Sequence, residues 1–357
     1  MKRTIRLAAA IVVALTGIAL AGHASATLQR TFVGSTGVDT NACSITAPCR
    51  GFTAAVAKTT AGGEVIVLDS AGYGPVMITK SISLMAPTGI YAGVTVFSGD
   101  GITVNGPGII VVLRGLSING QGGGYGILLE QAAHLRIENC VISNMGNGGL
   151  LHLANGADLT MLDTIVRDNR LTGILVSADT SVVLDHVRSE RNGIDGFTMA
   201  STSVGIQATI TASTFAYNGR HGVFVLTNMP SADTFVLIDR SVLAENVANG
   251  FILDGTSAGA HGSLTRNAIH RNRGVGASVL GGFNYNVYVT TSENAISGNE
   301  YGGIHADGAL VFLYAGANNM VNYGLSFKQS SGAFFGSHRN NFGAFATSGT
   351  ISTATGQ

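Results

Sequence analysis

Two residues with complementary acid–base chemistry stand at the same point of a repeated phrase, and they are the leading catalytic candidates in this chain. Asp195 immediately precedes Gly196, and His221 immediately precedes Gly222. A carboxylate beside an imidazole is the minimum set of groups for general acid–base catalysis. The same two side chains also form ordinary surface hydrogen bonds, so catalysis by Asp195 and His221 is a hypothesis that the fold must support.

The phrase that aligns these residues is Asn-x-x-x-Gly followed by an apolar run. Its seven copies, spaced 23 to 28 residues apart, are Asn144/Gly148, Asn169/Gly173, Asn192/Gly196, Asn218/Gly222, Asn246/Gly250, Asn272/Gly276 and Asn299/Gly303. Such a period is typical of a solenoid, in which each repeat is one coil that buries its apolar face by stacking on its neighbours. If the Asn residues align, Asp195 and His221 lie on consecutive coils.

Each repeat is predicted to hold three short strands, which is the layout of an all-β, right-handed parallel β-helix with coils of about 22–28 residues. Alternating pairs such as Leu135/Ile137 and Phe235/Leu237 are predicted to point into the core. No segment between the strands is long enough for a crossover helix, which excludes βαβ folds. A leucine-rich horseshoe has a similar period, but it requires Leu-dominated spacing.

The recurrence of Asn and Gly has a structural explanation. Successive coils of stacked strands lie about 4.8 Å apart, so identical residues at one register meet directly. Asn both donates and accepts, so a column of Asn side chains forms a hydrogen-bonded ladder along the axis. Asn also tolerates the left-handed backbone of a tight turn, and Gly allows close approach of neighbouring coils.

The same alignment predicts which charged residues meet on adjacent coils. Four oppositely charged pairs are expected: Arg167–Glu190, Asp168–Arg191, Glu245–Arg271 and Arg273–Glu300. Exposed pairs of this kind contribute about 0–1 kcal/mol each, so we expect them to adjust the register more than to stabilise the fold.

Residues 1–26 have the pattern of a secretory signal peptide. Lys2, Arg3 and Arg6 precede an apolar stretch from Leu7 to Leu20, and small residues end at Ala26. The apolar stretch is shorter than the roughly 20 residues of a membrane span. We therefore expect cleavage near Ala26 and secretion to the periplasm or the extracellular space.

Residues 27–60 are predicted to form a lead-in and a short capping helix, because Phe52, Ala55 and Val56 have helical spacing before Gly62-Gly63. Cys43 and Cys49 are close enough to form a disulfide in an oxidising compartment. Cys140 is expected to be a buried, inert thiol. The β-helix is predicted over residues 61–346 and a frayed tail over 347–357, with a plug of Phe334, Phe335, Phe342 and Phe345 near the end.

Composition excludes several classes of partner. Without residues 1–26 the chain has 17 basic and 20 acidic residues, a formal charge of −3, which is no electrostatic footprint for nucleic acid. The nine His residues are scattered and no Cys or His pair has ligand spacing, so we expect no metal site. We also expect no cofactor and no membrane insertion.

The repeat resembles the pectate-lyase-like superfamily of secreted right-handed β-helix proteins over roughly residues 60–345. The paired cysteines before a short helix, followed by Gly62-Gly63-Glu64-Val65-Ile66-Val67-Leu68, look like uncharacterised bacterial exported members of that group. The resemblance implies the fold and says little about chemistry, because solenoids host many functions.

The catalytic motifs of that superfamily are largely missing from this chain. There is no Asn-Thr-Asp, adjacent Asp pair or Arg-x-Lys of polygalacturonases, and Arg220-His221-Gly222 matches only their His-Gly. None of the five Pro residues has Arg two positions before it, as calcium-dependent pectate lyases require. The Tyr-Gly-x-Asp-Pro-His element of alginate epimerases is also missing, Tyr73-Gly74-Pro75 being the nearest approach. The chain lacks Trp, the residue that most often supplies a flat platform for sugars.

Two functions are consistent with this sequence. The first is an exported, non-catalytic scaffold that presents a long face to polysaccharide, the cell envelope or a protein partner. The second is a diverged carbohydrate-active enzyme, a lyase, epimerase or hydrolase, with Asp195 and His221 as candidate catalytic residues. A groove with convergent carboxylates and Arg or His favours the enzyme, and a flat face of Asn, Ser and Thr favours the scaffold.

Overall fold

Three parallel sheets wind around one apolar core. The computed structural model describes residues 28–201, 205–227, 230, 234–338, 340–343 and 346–353, and in this part the sheets have 14, 12 and 12 strands. Successive strands pass from sheet I to sheet II to sheet III, and the next coil repeats this order. The predicted all-β parallel β-helix is confirmed.

The strands are numbered in chain order and grouped into sheets by their hydrogen-bonded neighbours. Sheet I consists of β1 (Leu28–Val33), β2 (Thr59–Val67), β5 (Ile82–Met85), β8 (Ile110–Arg114), β11 (His134–Glu138), β14 (Asp158–Leu162), β17 (Ser181–Asp185), β20 (Gln207–Thr211), β23 (Thr234–Asp239), β26 (Ala260–Thr265), β29 (Val287–Ser292), β32 (Val311–Gly316), β35 (Phe334–Ser337) and β38 (Ile351–Thr353). Sheet II consists of β3 (Ala71–Gly72), β6 (Ala92–Val96), β9 (Leu116–Gly120), β12 (Val141–Ser143), β15 (Ile165–Arg167), β18 (Arg188–Glu190), β21 (Thr214–Ala216), β24 (Val242–Ala244), β27 (Ala268–His270), β30 (Ala295–Ser297), β33 (Asn319–Val321) and β36 (Phe342–Gly343). Sheet III consists of β4 (Val76–Ile78), β7 (Ile102–Asn105), β10 (Ile127–Gln131), β13 (Leu150–His152), β16 (Ile174–Val176), β19 (Phe197–Ser201), β22 (Val223–Thr227), β25 (Phe251–Gly255), β28 (Val275–Gly281), β31 (Gly302–Asp307), β34 (Leu325–Ser330) and β37 (Thr347–Ser348).

Alternation along each strand separates the core from the outer surface. In β11 the predicted pair Leu135 and Ile137 is fully buried. In β23 the prediction was wrong, because Val236 and Ile238 point inward while Phe235 and Leu237 are 40% and 42% exposed. Side chains on a strand have a period of two, so a register error of one residue exchanges the two faces. Apolar residues occupy both faces of β23, and hydrophobicity alone therefore could not distinguish them.

A short helix and a disulfide close the N-terminal end of the core. Helix α1 spans Phe52–Lys58, with Phe52, Ala55 and Val56 buried as predicted, and it packs against β1, β2 and β4. The helix ends before the extended residue Thr59, earlier than the predicted stop at Gly62-Gly63, because β2 already begins there. The predicted Cys43–Cys49 disulfide is present and both residues are buried.

The predicted Asn ladder, which we call ladder 1, runs along the turn between sheets II and III. Each ladder side chain accepts the backbone N–H of the Asn one coil earlier through Oδ1, as Asn218 does for Asn192 at 3.1 Å. Its Nδ2 donates to the next Asn, 3.0 Å from Asn218 to Asn246. Ladder 1 contains Asn169, Asn192, Asn218, Asn246, Asn272, Asn299 and Asn322.

The first copy of the phrase is out of register by one residue. The N–H of Met145 donates to Asn169, so Met145 and not Asn144 occupies the ladder position, and Gly149 stands where Gly148 was expected. Asn144 instead aligns with Asp168, and both have a left-handed backbone, with φ of 59° and 57°. From Asn169 to Asn299, the left-handed residue is thus the one before the ladder Asn, and the ladder Asn itself does not need this conformation.

A second ladder, which the sequence pattern did not predict, runs along the turn between sheets I and II. It contains Asn267, Asn294, Asn318 and Asn341, joined by Nδ2–Oδ1 hydrogen bonds of 2.9–3.1 Å. Ser213 and Ser241 hold the same position in earlier coils, each accepting a backbone N–H through Oγ. Left-handed residues again precede this column. Its mixed Ser and Asn composition conceals the period in the sequence.

The repeat pattern of the C-terminal coils also differs from the prediction. The pattern continues past its last predicted copy, because Asn322 and Ser326 occupy the positions of Asn and Gly while Met320 pairs with Ile296 in the core. Phe335 is buried, whereas Phe342 is 68% exposed and does not plug the core. Phe345 lies outside the described residues.

The chain ends predicted from the sequence are only partly described. The predicted signal peptide, residues 1–26, and the last residues of the tail, 354–357, lie outside the described residues. Within residues 347–353 of the expected frayed tail, β37 and β38 add short strands to sheets III and I. No helix among the described residues is long and apolar enough to cross a membrane.

Substitution of a central ladder residue is expected to destabilise the fold. Asn246→Ala removes the acceptor for two N–H groups of Asn218, all in a buried column. Buried donors left without partners cost about 1–3 kcal/mol. We expect a lower thermal unfolding midpoint by circular dichroism. The control Asn144→Gly, exposed and compatible with positive φ, is expected to leave the midpoint nearly unchanged. Equal losses in both variants would contradict the ladder assignment.

His152 makes the stability of the core dependent on pH. Its ring is fully buried, Nδ1 accepts the N–H of Ala154 at 3.2 Å, and Nε2 donates to the carbonyl of Ala157 at 2.8 Å. Burial lowers the pKa of His152 from 6.5 to about 4. The folded protein therefore keeps this imidazole neutral over a range in which the unfolded chain binds a proton.

Because the folded pKa is depressed, the contribution of His152 is complete above pH 6.5 and is lost as pH falls toward 4. The full loss amounts to about 3 kcal/mol. We expect the thermal unfolding midpoint to decrease as the pH is lowered from 6.5 to about 4. In the variant His152→Gln this decrease is expected to be smaller. His134→Gln, on the outer surface of β11, is the control and is expected to leave the pH dependence unchanged. If the thermal midpoint of His152→Gln decreased at low pH as much as that of the unmodified protein, this explanation would be refuted.

Candidate functional site

Asp195 lies fully buried in the turn before β19, at the edge of the outer face of sheet III. Its carboxylate accepts two hydrogen bonds from the Arg220 guanidinium, one of them 2.9 Å from Nε to Oδ1. It also accepts the Thr198 hydroxyl at 2.7 Å and the backbone N–H of His221 at 3.0 Å. Four hydrogen bonds therefore occupy the carboxylate, which leaves it poorly placed to accept a further proton from a substrate.

His221 is half-buried one coil later. Its Nδ1 accepts the backbone N–H of Asn249 at 3.2 Å, which places the proton of the neutral ring on Nε2. Burial is the main cause that lowers the pKa of His221, with Arg220 acting in the same direction and Asp195 opposing it. The ring also lies 5.5 Å from that of Phe224, over which the Arg220 guanidinium is placed at 5.0 Å.

Asp195, His221 and Asn249 thus form a third hydrogen-bonded column, which we call the turn column. Each side chain accepts the backbone N–H of the next coil, and Asn249 continues the series with Val275 at 2.8 Å. The structure places the predicted Asp195 and His221 on adjacent coils, joined through the backbone N–H of His221. In the described part of the chain, the imidazole makes no hydrogen bond to the carboxylate. Their catalytic role stays a prediction, and the column has a complete structural explanation.

The predicted charge pairs are partly present. Asp168–Arg191 and Glu245–Arg271 form at 2.8 Å and 3.3 Å. Arg167 and Glu190 are aligned on adjacent strands, but Glu190 instead pairs with Arg188 and Arg191. Arg273 and Glu300, although both described, form no ion pair with each other. The acidic residues of this region are thus mostly neutralised by Arg.

An aromatic column on the outer face of sheet I is the feature that sequence reasoning missed. Its rings belong to Phe235, His261, Tyr288, Phe312 and Phe334, which occupy equivalent positions in five successive coils. The first three contacts are stacked, with centroid distances of 4.7, 5.4 and 5.0 Å, and the last is tilted at 6.4 Å. The sequence carries the signal as one aromatic or imidazole ring per coil, but the ring positions become equivalent only once the register of sheet I is known.

A groove of about 460 Å³ runs beside this column. Its second wall is the neighbouring outward column, in which Leu237 and Tyr314 flank the smaller Ser263 and Thr290. Gln207 and Thr209 line its N-terminal end. The groove therefore combines partly exposed aromatic rings with hydroxyl and amide groups, which is the chemistry of a ligand site that packs on apolar surface and fixes orientation with a few hydrogen bonds.

Other reactive groups do not form a site. Cys140 is buried as predicted, and burial raises the pKa of its thiol to about 11. The described residues contain no cluster of three or more His, Cys, Asp or Glu side chains that could hold a metal ion.

Comparison with known proteins agrees with this architecture. Residues 100–261 match the family model described as right handed beta helix region. A search of curated protein sequences gave no match.

Three solved structures share the fold at low sequence identity. Pectate lyase Pel9A aligns over 89% of this chain and 80% of its own, with 17% identity and a TM-score of 0.55. The A-module of mannuronan C-5 epimerase AlgE6 from Azotobacter vinelandii aligns over 83% and 92%, with 16% identity and a TM-score of 0.53. Tailspike protein 3 of bacteriophage CBA120 aligns over 91% and 60%, with 13% identity and a TM-score of 0.55.

The chain therefore has a right-handed parallel β-helix fold, which it shares with a pectate lyase, a mannuronan epimerase and a phage tailspike. At these identities the likeness establishes the fold alone, and the function must be argued from this chain's own surfaces.

Removal of Arg220 is expected to destabilise the turn column. Arg220→Ala leaves the carboxylate of Asp195 buried without its cation, at a cost of about 2 kcal/mol, since Arg220 itself is half exposed. We expect a lower thermal midpoint. Arg170→Ala, an exposed Arg in an equivalent turn with no ion pair in the described part, is the matched control. An unchanged midpoint in Arg220→Ala would show that the ion pair contributes nothing to stability.

Proposed function

We propose that this protein is an exported, non-catalytic scaffold that binds polysaccharide along the groove of sheet I. The observation that carries the proposal is the aromatic column, whose rings stay partly exposed beside a row of hydroxyl groups. Aromatic rings pack against the apolar faces of sugar rings, while hydroxyl and amide groups exchange hydrogen bonds with sugar hydroxyls. Phe, Tyr and His supply the platform that the absence of Trp had argued against.

Two further observations support export and the lack of catalysis. The Cys43–Cys49 disulfide is typical of an oxidising compartment, and residues 1–26 have the pattern of a secretory signal. No carboxylate lines the groove among the described residues. The best acid–base candidates, Asp195 and His221, lie away from it in the turns between sheets II and III, where they are hydrogen-bonded within the turn column. The periplasm and the extracellular space are both compatible with this proposal.

The alternative is a diverged carbohydrate-active enzyme. It is favoured by the fold that the chain shares with a pectate lyase and a mannuronan epimerase, and by the proximity of Asp195, Arg220 and His221 in the turns of two adjacent coils. In that case the substrate would approach sheet III rather than the aromatic groove, and Asp195 would have to exchange Arg220 for substrate.

The two functions are separated by screening the mature protein against insoluble and soluble polysaccharides for both binding and product release. We expect retention on at least one polymer and no unsaturated or reducing-end product. Tyr288→Ala is expected to weaken binding about fivefold to tenfold, because it removes the central ring of the column.

Tyr288→Phe, which keeps the ring, and Ile110→Ala, an exposed residue in the same column several coils before the groove, serve as matched controls. Both are expected to bind as the unmodified protein does. If the unmodified protein released an unsaturated or reducing-end product, and Asp195→Asn or His221→Ala released none, the protein would be an enzyme instead. Binding that is indifferent to Tyr288→Ala would exclude the groove as the binding surface.

A further inference from the structure

We infer that the groove of sheet I selects uncharged polysaccharide and discriminates against polymers that carry carboxylates. This inference rests on the proposed function and names the class of ligand that the same surface takes. Of the thirteen described residues that line the groove, none is Asp, Glu, Lys or Arg. Its polar groups are the amide of Gln207, the hydroxyls of Thr209, Ser263, Thr290 and two Tyr residues, and one imidazole.

A carboxylate brought into this groove would meet no Lys or Arg among the described lining residues. Transfer of an ionised group onto an apolar, aromatic surface loses hydration, and the loss is recovered only by paired charges or several hydrogen bonds. Proteins that recognise carboxylates generally supply Arg for this purpose, since its planar fork donates two hydrogen bonds at once. The groove offers hydroxyl groups instead, which suit the neutral hydroxyls of a sugar.

Charged residues beside the groove on the same face are held in ion pairs and hydrogen bonds. Asp239 ends β23, next to the outward column of Leu237, and it pairs with Arg240 at 2.9 Å and Arg266 at 2.8 Å. These two Arg side chains are therefore committed to Asp239. Asp185, two coils earlier at the same register, accepts the hydroxyl of Thr211 at 2.6 Å and lies 3.1 Å from the ring of His186.

The distribution of charge along sheet I points in the same direction. The N-terminal half of the outer face carries ion pairs, in which Arg114 and Arg136 both contact Glu138 and Arg30 contacts Glu64. In the C-terminal half, Asp239 still holds a charge at the position of Glu138, but the two outward columns that border the groove carry aromatic rings, Leu237 and hydroxyl groups. Among the described residues, these two columns carry no Asp, Glu, Lys or Arg from β20 onward, and the groove lies in this part of the sheet.

The test compares polymers that differ in charge on a common backbone. Binding of the mature protein is measured at about pH 8, where carboxylates are ionised, to hydroxyethyl cellulose against carboxymethyl cellulose, and to fully methyl-esterified polygalacturonan against polygalacturonate. We expect the neutral member of a bound pair to bind about tenfold more tightly. Affinity for it is expected to stay constant between about 50 and 500 mM NaCl, because screening affects only charged contacts.

A charge introduced into the groove gives a second, independent readout. Ser263→Lys places a cation between Leu237 and Tyr314 and is expected to raise affinity for the carboxylated polymer at low salt, with loss of that gain at high salt. Ile110→Lys, on the same face but outside the groove, is the control and is expected to leave the preference for neutral polymer unchanged. Circular dichroism verifies that both variants fold.

The outcomes separate the inference from the proposed function. Equal or tighter binding of the carboxylated polymers, with an affinity that falls as salt rises, overturns the inference while polysaccharide binding itself stands. Failure to bind any polymer of the panel overturns both. Sedimentation that shows self-association abolished by Tyr288→Ala would assign the face to a second copy of this chain, and it would also overturn both.

Discussion

The rest of this structure depends on hydrogen bonds from backbone N–H groups in the turns to side chains of an adjacent coil. A strand can find its backbone partners in the sheet, but the turns between sheets leave N–H groups inside a tightly stacked column. Asn side chains satisfy them in both ladders, and Asp195, His221 and Asn249 do the same in the turn column. Once these turns are fixed, the register of every coil follows, and the inward residues meet their counterparts in the core.

The period of the chain was sufficient to predict this architecture, because stacking forces equivalent residues to recur at one position. The helix over Phe52–Lys58, the buried Leu135 and Ile137, and the disulfide were also predictable from local spacing and chemistry. The register of residues within a coil could not be predicted in the same way. Asn144 fits the Asn-x-x-x-Gly pattern although it lies one residue before the ladder position. Around Phe235, apolar residues occupy both faces of the strand, so the sequence does not show which side chains point into the core.

The candidate site illustrates the same limit. Asp195 and His221 were brought together by counting residues, yet their partners in space, Arg220, Thr198 and the N–H of Asn249, decide what they can do. Conversely, each residue of the aromatic column carries no functional signal by itself. The rings form a continuous surface only because the stacked coils bring them into contact. In a solenoid, outward residues are free of the core, so a binding face can change from charged to neutral along one sheet without altering the fold.

The hydrogen bonds of the turns also have opposite directions. In the Asn ladders a coil's amide is accepted by the coil that follows it, whereas in the turn column the amide is accepted by the coil before it. Each coil of the turn column therefore accepts an amide from the coil on either side of it. Removal of one such coil would leave unpaired turn amides on both of its neighbours, so the cost of a deletion extends to the coils that remain.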